Sequence, residues 1–241
     1  YSFFNILQIL KGNTIQKLFI GFKDINYVSF RNPFNLSLDM FNDSCKLQSI
    51  LNSNKNNIYL NGYWHSAECV NFIDEKVKTD FLRLITKYAS DRTLEIIGVL
   101  KNTPDSLSIH VRQGDYLKGK YKNVYATCSI DYYRECYQKI KANLAEDALI
   151  YVLSDNHEWV KKHFSFIKNY VLYDGNGYID DFIVMMYCNN NVIANSSFSW
   201  LSASLNQSKN SKKFAPLNWF KVNNKEALPL DEFTLISNKI Y

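Results

Sequence analysis

The sequence predicts an α/β fold built on a parallel sheet, and three observations carry that prediction. From Leu107 onward, short apolar runs alternate with amphipathic segments, the pattern of strands joined by crossover helices. Leu149 to Leu153 is apolar at every position, as a strand covered on both faces must be. Leu107, Ile109 and Val111 alternate with Ser108 and His110 and run toward Gly114, which reads as a strand end delivering His110, Arg112 and Asp115 to one rim. In such sheets ligands bind outside the carboxyl ends of the strands, where loops and helix N-termini converge.

The segments before Leu107 are less regular. Phe3 to Leu10 and Ile15 to Phe22 are apolar without a clean period, and Asn13, Asn26, Asn32 and Pro33 interrupt them with turn chemistry, so no motif is assigned there. Met40, Cys45, Leu47 and Leu51 form a partial stripe that suggests a helix over Asp39 to Leu51. A polar loop from Asn52 to Asn57 then precedes a short strand at Ile58 to Leu60. Phe72 to Tyr88 is predicted helical: Phe72, Val77, Phe81, Leu84, Ile85 and Tyr88 recur near helical spacing, and Asp74 and Glu75 sit early, where the helix dipole favours acids.

Beyond Arg112, Ser129 can cap a helix whose Tyr133, Cys136, Tyr137, Ile140 and Leu144 form one face. Ser154-Asp155-Asn156 ends the Leu149 strand and caps a helix carrying Trp159, Val160 and Phe164, a role that suffices for Asp155. Asn169 to Tyr173 is a further strand. Asp174 to Gly177 is a turn, and Ile179 to Cys188 is a helix apolar almost all round, as expected between two layers. Val192 to Ala194 is a strand, Ser196 caps Phe198 to Leu205, and Lys213 to Pro216 begins a last edge segment.

Composition bounds the function. The chain has 241 residues, of which 46% are hydrophobic and 15% aromatic, enough for one large or two small packed domains. Its longest strongly apolar run, Phe182 to Cys188, is far short of the ~20 residues that span a bilayer. Tyr1 to Leu10 lacks a basic leader and a small-residue cleavage site, so a cytoplasmic location is expected. The five cysteines are odd in number and show no Cys-x-x-Cys spacing, which points to buried free thiols rather than disulfides or zinc. A net charge of +5 suits an anionic ligand such as a nucleotide sugar, or loose association with an acidic membrane face. No Lys/Arg stripe is interleaved with aromatics, so nucleic acid is not an expected partner.

Three separated stretches resemble one family. His110-x-Arg112-x-x-Asp115-Tyr116, the run Ile193-x-Asn195-Ser196-Ser197-Phe198-Ser199-Trp200 and Gly62-Tyr63-Trp64 are similar to motifs of the α-1,2-fucosyltransferases, inverting enzymes that use GDP-fucose. The first motif of that family reads H-x-R-R-G-D-Y, and here Gln113 stands where the second arginine would be. The later pattern of an acidic pair, a Met-rich helix and I-x-A-N-S-S-F-S-W-W is matched by Asp180-Asp181, Met185-Met186 and Ile193 to Trp200, with Leu201 in place of the last tryptophan. His65 occupies the glutamine position of the family's G-Y-W-Q-S. The likeness runs from about Tyr27 to Phe220. It implies a GT-B fold, two Rossmann-like domains facing a cleft: residues 1–104 on the acceptor side and 105–241 holding GDP-fucose. The family's opening glycine-rich segment has no counterpart near Tyr1, so the first strand-loop-helix of the N-terminal domain is expected to be missing from this sequence.

The chemistry follows from the donor. Fucosyl transfer breaks the bond between the anomeric carbon and the β-phosphate, so charge growing on that phosphate must be stabilised. Arg112 is the first candidate, because its planar fork donates two hydrogen bonds and stays charged. Asn195, Ser196 and Ser197 open a helix whose free N–H groups suit a phosphate, with simple capping as the alternative for the serines. Together these groups would serve without a metal ion or other cofactor. The resemblance places Asp181 at the guanine and His110 at the base or ribose; the plain alternative for His110 is a satisfied strand histidine. Asp180-Asp181 is not read as a metal pair, since adjacent carboxylates on a helix diverge by about 100°. Asp115 is either the base that takes the acceptor's proton or a partner that orients Arg112. Tyr63, Trp64 and His65 are candidates for acceptor contact or interdomain packing. The expected reaction moves fucose to the 2-hydroxyl of a terminal galactose in a glycan, the alternatives being a same-fold fucosyltransferase of other linkage, such as a protein O-fucosyltransferase, or an inactive sugar-binding module.

Overall fold

A computed structural model describes residues 26–29, 58–61, 75–103, 105–114, 117, 122–123, 125–206, 208–221 and 232–238. The chain divides into two compact units, Tyr1–Asp74 and Glu75–Tyr241. In the first unit, strands β1 (Asn26–Ser29) and β2 (Ile58–Asn61) pair in parallel, Asn26 opposite Ile58 and Ser29 opposite Asn61. The helix expected over Asp39 to Leu51, and the Tyr63-Trp64-His65 stretch, lie outside the described residues.

The second unit opens with two helices, α1 (Glu75–Thr86) and α2 (Asp91–Asn102). The first buries Phe81 and Ile85 of the predicted stripe, but it ends at Thr86, so Tyr88 lies outside it and is exposed; Phe72 lies outside the described residues. The second was not foreseen. Its buried face is only Thr93, Ile97 and Leu100, too sparse to stand out, yet Ser90 caps it by accepting a hydrogen bond from the Thr93 N–H at 3.3 Å.

Six strands then form one sheet: β3 (Ser106–Val111), β4 (Leu149–Ser154), β5 (Val171–Tyr173), β6 (Asn190–Val192), β7 (Lys213–Pro216) and β8 (Thr234–Ile236). Their order is β5-β4-β3-β6-β7-β8, and every pairing is parallel. Four helices connect them: α3 (Ile130–Lys141), α4 (His157–His163), α5 (Tyr178–Tyr187) and α6 (Ser197–Ser204). Strand alternation sorts the core. Leu107, Ile109, Val111, Ile150 and Val152 meet Tyr132, Tyr133, Cys136 and Ile140 of α3 and Val160 of α4. On the opposite face Tyr151, Leu153 and Tyr173 meet Leu100 of α2 with Val184 and Met185 of α5.

Two expectations need correcting. Lys213 to Pro216 is not an edge: β8 pairs beyond it, a strand whose Thr234 and Leu235 are exposed and whose three residues carry no readable period. The strand expected at Val192 to Ala194 instead runs from Asn190 to Val192. Its asparagines are buried because their amides are satisfied. Asn191 Nδ2 donates to Ser108 Oγ and to the Met185 carbonyl, each at 2.7 Å, and Asn190 Nδ2 donates to Asp105 Oδ1 at 2.9 Å.

The strand order positions the site. The chain steps outward from β3 to β4 and β5, then crosses back over both to lay β6 on the other side of β3. That reversal makes the carboxyl ends of β3 and β6 the switch point of the sheet, where doubly wound sheets form the crevice in which ligands lie.

Candidate functional site

Arg112 leaves the end of β3 on one lip of this crevice. Its guanidinium meets the Asp155 carboxylate, Nη1 to Oδ2 at 3.2 Å, and Asp155 follows β4, the neighbouring strand. The same carboxylate accepts hydrogen bonds from the backbone N–H groups of Gln113 at 2.9 Å and Gly114 at 3.0 Å. The capping role foreseen for Asp155 is therefore wrong. Asn156 caps α4, its Oδ1 accepting from the Trp159 N–H at 3.1 Å, and Asp155 is turned to the motif instead. Gln113 is buried and faces inward, its amide donating to the Cys128 carbonyl at 3.3 Å. It therefore does not replace an arginine in the crevice.

His110 is buried on the same strand, its ring 5.8 Å from that of Phe198 in the first turn of α6. Burial, reinforced by the Arg112 charge, pushes its pKa down to about 3, so the imidazole is neutral at working pH. Nδ1 is buried and has no hydrogen-bond partner among the described residues. An unpaired buried nitrogen costs about 1–3 kcal/mol, so the simple alternative of a satisfied strand histidine does not hold here.

Across the crevice, Ser196 stands at the N-cap of α6, but its hydroxyl makes no capping bond. Ser196 is buried and Ser197 exposed. Asn195 is structural in part: its Nδ2 donates to the Trp219 carbonyl at 3.1 Å, tying the rim to the loop after β7.

The acidic pair divides its labour. Asp180 is buried, with Oδ1 accepting from the Ser90 N–H at 2.9 Å and Oδ2 from the Asn176 N–H at 3.0 Å, which locks the start of α5 to the start of α2. Burial opposes its charge, but the hydrogen bonds from Ser90, Thr93 and Asn176 outweigh it and hold its pKa below the usual range. Asp181 differs. Burial above all, then the charges of Asp180 and Asp174, raise its pKa to about 6 against a Gly175 backbone hydrogen bond that lowers it. A perturbed carboxyl on the rim outside the carboxyl end of β5 is a candidate ligand contact.

Gly175 makes this loop possible. A Cβ there would lie 2.8 Å from Asp180 Cβ, 2.9 Å from Tyr173 Cε1 and 3.0 Å from Asp181 Oδ1. Gly175→Ala is expected to cost about 1–3 kcal/mol, as overpacking does, and to lower the melting temperature by several degrees in a thermal melt. An unchanged melting temperature would show that the loop has room to move.

Asp115 lies outside the described residues, as do Tyr63, Trp64 and His65. Among the described residues, no group of three or more His, Cys, Asp or Glu side chains is arranged to hold a metal ion, and no helix is long and apolar enough to cross a membrane. Cys128, Cys136 and Cys188 are free and buried.

The six-stranded all-parallel sheet, with its order reversal, makes the second unit an α/β domain compatible with a Rossmann-like fold. The chain belongs to glycosyl transferase family 11, a fucosyltransferase family, whose model matches residues 38–235. It is 31% identical over 140 residues to the O-antigen biosynthesis glycosyltransferase WbnK of Escherichia coli, covering 56% of this chain and 46% of that protein. It is 27% identical over 179 residues to an alpha-1,2-colitosyltransferase of the same organism, covering 72% of this chain and 60% of that protein. The chain thus spans about half the length of the curated relatives it matches. No solved structure matches it.

Proposed function

We propose that this protein transfers L-fucose from GDP-fucose to the 2-hydroxyl of a terminal galactose in a surface glycan, inverting the anomeric carbon without a metal ion. The observation that carries this reading is Arg112, which follows β3 and is held by Asp155, while α6 follows β6, the strand on the other side of the switch point. In this reading the guanidinium and the first N–H groups of α6, helped by the Ser196 and Ser197 hydroxyls, take up the charge that grows on the leaving β-phosphate. A charged hydrogen bond contributes about 1.5–3 kcal/mol and a helix terminus about 0.3–2, terms that act where a metal would otherwise be needed.

Asp181 reads the guanine, and the unpaired Nδ1 of His110 accepts from or donates to the base or ribose. Asp180 is a structural carboxylate rather than half of a metal pair, a reading supported by its two backbone hydrogen bonds. The architecture is GT-B, with an N-terminal domain on the acceptor side, where Tyr63, Trp64 and His65 contact the glycan or the domain interface, and a C-terminal domain on the donor side. Asp115 takes the acceptor's proton or orients Arg112. The enzyme works in the cytoplasm, its net charge of +5 favouring loose contact with an acidic membrane face. A second reading keeps the site and replaces fucose by colitose, since one relative is named an alpha-1,2-colitosyltransferase.

The deciding experiment incubates full-length protein with GDP-fucose or GDP-colitose and a panel of galactosides, followed by linkage analysis of the product. An α-1,2-fucosyl galactoside, formed equally well in excess EDTA, is expected. Activity lost in EDTA and restored by Mn²⁺ would overturn the metal-free mechanism. A different linkage would point to another fucosyltransferase of the same fold, and GDP binding without any turnover to a binding module.

A further inference from the structure

We infer that Asp155 is the positioning residue of this site, presetting Arg112 for the donor diphosphate, and that Gly114 is glycine to admit the Asp155 carboxylate. The inference rests on the proposed contact between Arg112 and the diphosphate. One carboxylate takes three donors that all belong to the strand-end motif: the Arg112 guanidinium and the N–H groups of Gln113 and Gly114. The ion pair is partly exposed, with side chains 34% and 24% accessible, and pairs open to solvent contribute little to stability, so its value lies in geometry. A free arginine side chain samples many rotamers and loses that freedom when it grips a ligand. An Asp155 anchored by two backbone N–H groups removes much of that loss in advance, because the carboxylate cannot swing away from the guanidinium.

Gly114 reports the same arrangement independently. Among the described residues, positive φ occurs only at Gly177, so the Gly114 backbone is one that alanine tolerates. Its obstacle is steric: a Cβ at position 114 would lie 2.6 Å from Asp155 Oδ2 and 3.2 Å from Asp155 Cγ. Among the described residues other than its chain neighbours, no further atom comes nearer than Asp155 Cβ at 3.9 Å. An alanine here must push the carboxylate off the motif, and with it the guanidinium.

The test is calorimetric titration of the full chain with GDP and with guanosine, because their affinity ratio isolates the diphosphate. Asp155→Asn is expected to lower the ratio roughly tenfold while guanosine affinity stays within about twofold, since a neutral amide cannot hold the guanidinium as a carboxylate does. Arg112→Ala should lower the ratio further, and the double variant should match Arg112→Ala alone, as coupled sites do. Gly114→Ala should reproduce the Asp155→Asn loss, and adding Asp155→Ser should make Gly114→Ala cost nothing more.

Equal losses of GDP and guanosine affinity in Asp155→Asn would show a merely structural residue and overturn the inference. So would additive losses in the double variant, or a Gly114→Ala protein with a wild-type ratio. If Arg112→Ala collapses the ratio and Asp155→Asn leaves it intact, only the positioning role fails. If Arg112→Ala itself leaves the ratio intact, the diphosphate contact fails, and the inference falls with it.

Discussion

Arg112→Ala is expected to lower kcat/KM by roughly 10²–10³, the loss seen when one preorganised transition-state donor is removed. Arg112→Lys should recover little of this. An ammonium is a compact point charge, and it cannot meet Asp155 and a phosphate along two parallel directions as the planar fork does. The loss should fall mainly on kcat, because charge on the β-phosphate oxygens grows as the glycosidic bond breaks. Steady-state kinetics on the two variants checks this, with a melting curve to show that each is folded. An alanine variant keeping more than half of wild-type turnover would remove Arg112 from the mechanism.

Asp181→Asn is expected to weaken GDP binding and, at the same time, to stabilise the protein at neutral pH. A carboxylate accepts from both N1–H and the 2-amino group of guanine. Adenine offers an acceptor at N1 and no such amine, and would leave the charge unpaired. Wild-type protein should therefore favour GDP over ADP by about 5–150-fold, the ratio that 1–3 kcal/mol produces, and the variant should narrow that gap. The gain in stability has its own sign. Burial, then the charges of Asp180 and Asp174, lift the carboxyl from an ordinary value of 3.8 to about 6, so the folded state holds its charge at a cost. That cost is absent below the unfolded value, where both states are protonated, and complete above about pH 6. Asp181→Asn should thus add on the order of 1–3 kcal/mol at pH 7 and almost nothing near pH 4. GDP affinity of the wild type should fall as pH drops through about 6. Calorimetry with GDP, ADP and UDP and melts at both pH values decide it. Wild-type GDP affinity in the variant would reduce Asp181 to a charge at a helix start.

Much of the fold was readable from local chemistry. The period of Leu107, Ile109 and Val111, the all-apolar Leu149 run and the Ser129 cap each specify an element by contacts a few residues apart, and each appears as β3, β4 and α3. Where local and tertiary forces disagree, the reading failed. Asn190 and Asn191 look like loop residues until Ser108, Asp105 and the Met185 carbonyl satisfy their amides and turn them into a buried strand. Strand β8 is too short for its alternation to register, and α2 hides behind a stripe of only Thr93, Ile97 and Leu100.

The site divides along the same line. The sequence by itself determined that Arg112 and His110 end a strand, that a serine-rich segment opens a helix, and that Asp180 and Asp181 start another, because these depend on period, caps and chain-local sterics. Only the tertiary structure decided that Asp155 meets Arg112, which member of the acidic pair is locked to the backbone, and what a side chain at position 114 would strike. The reason is geometric. Parallel strands bring together residues separated by a whole crossover helix, so the partners Arg112 and Asp155 meet through the register of β3 on β4, which no local pattern encodes.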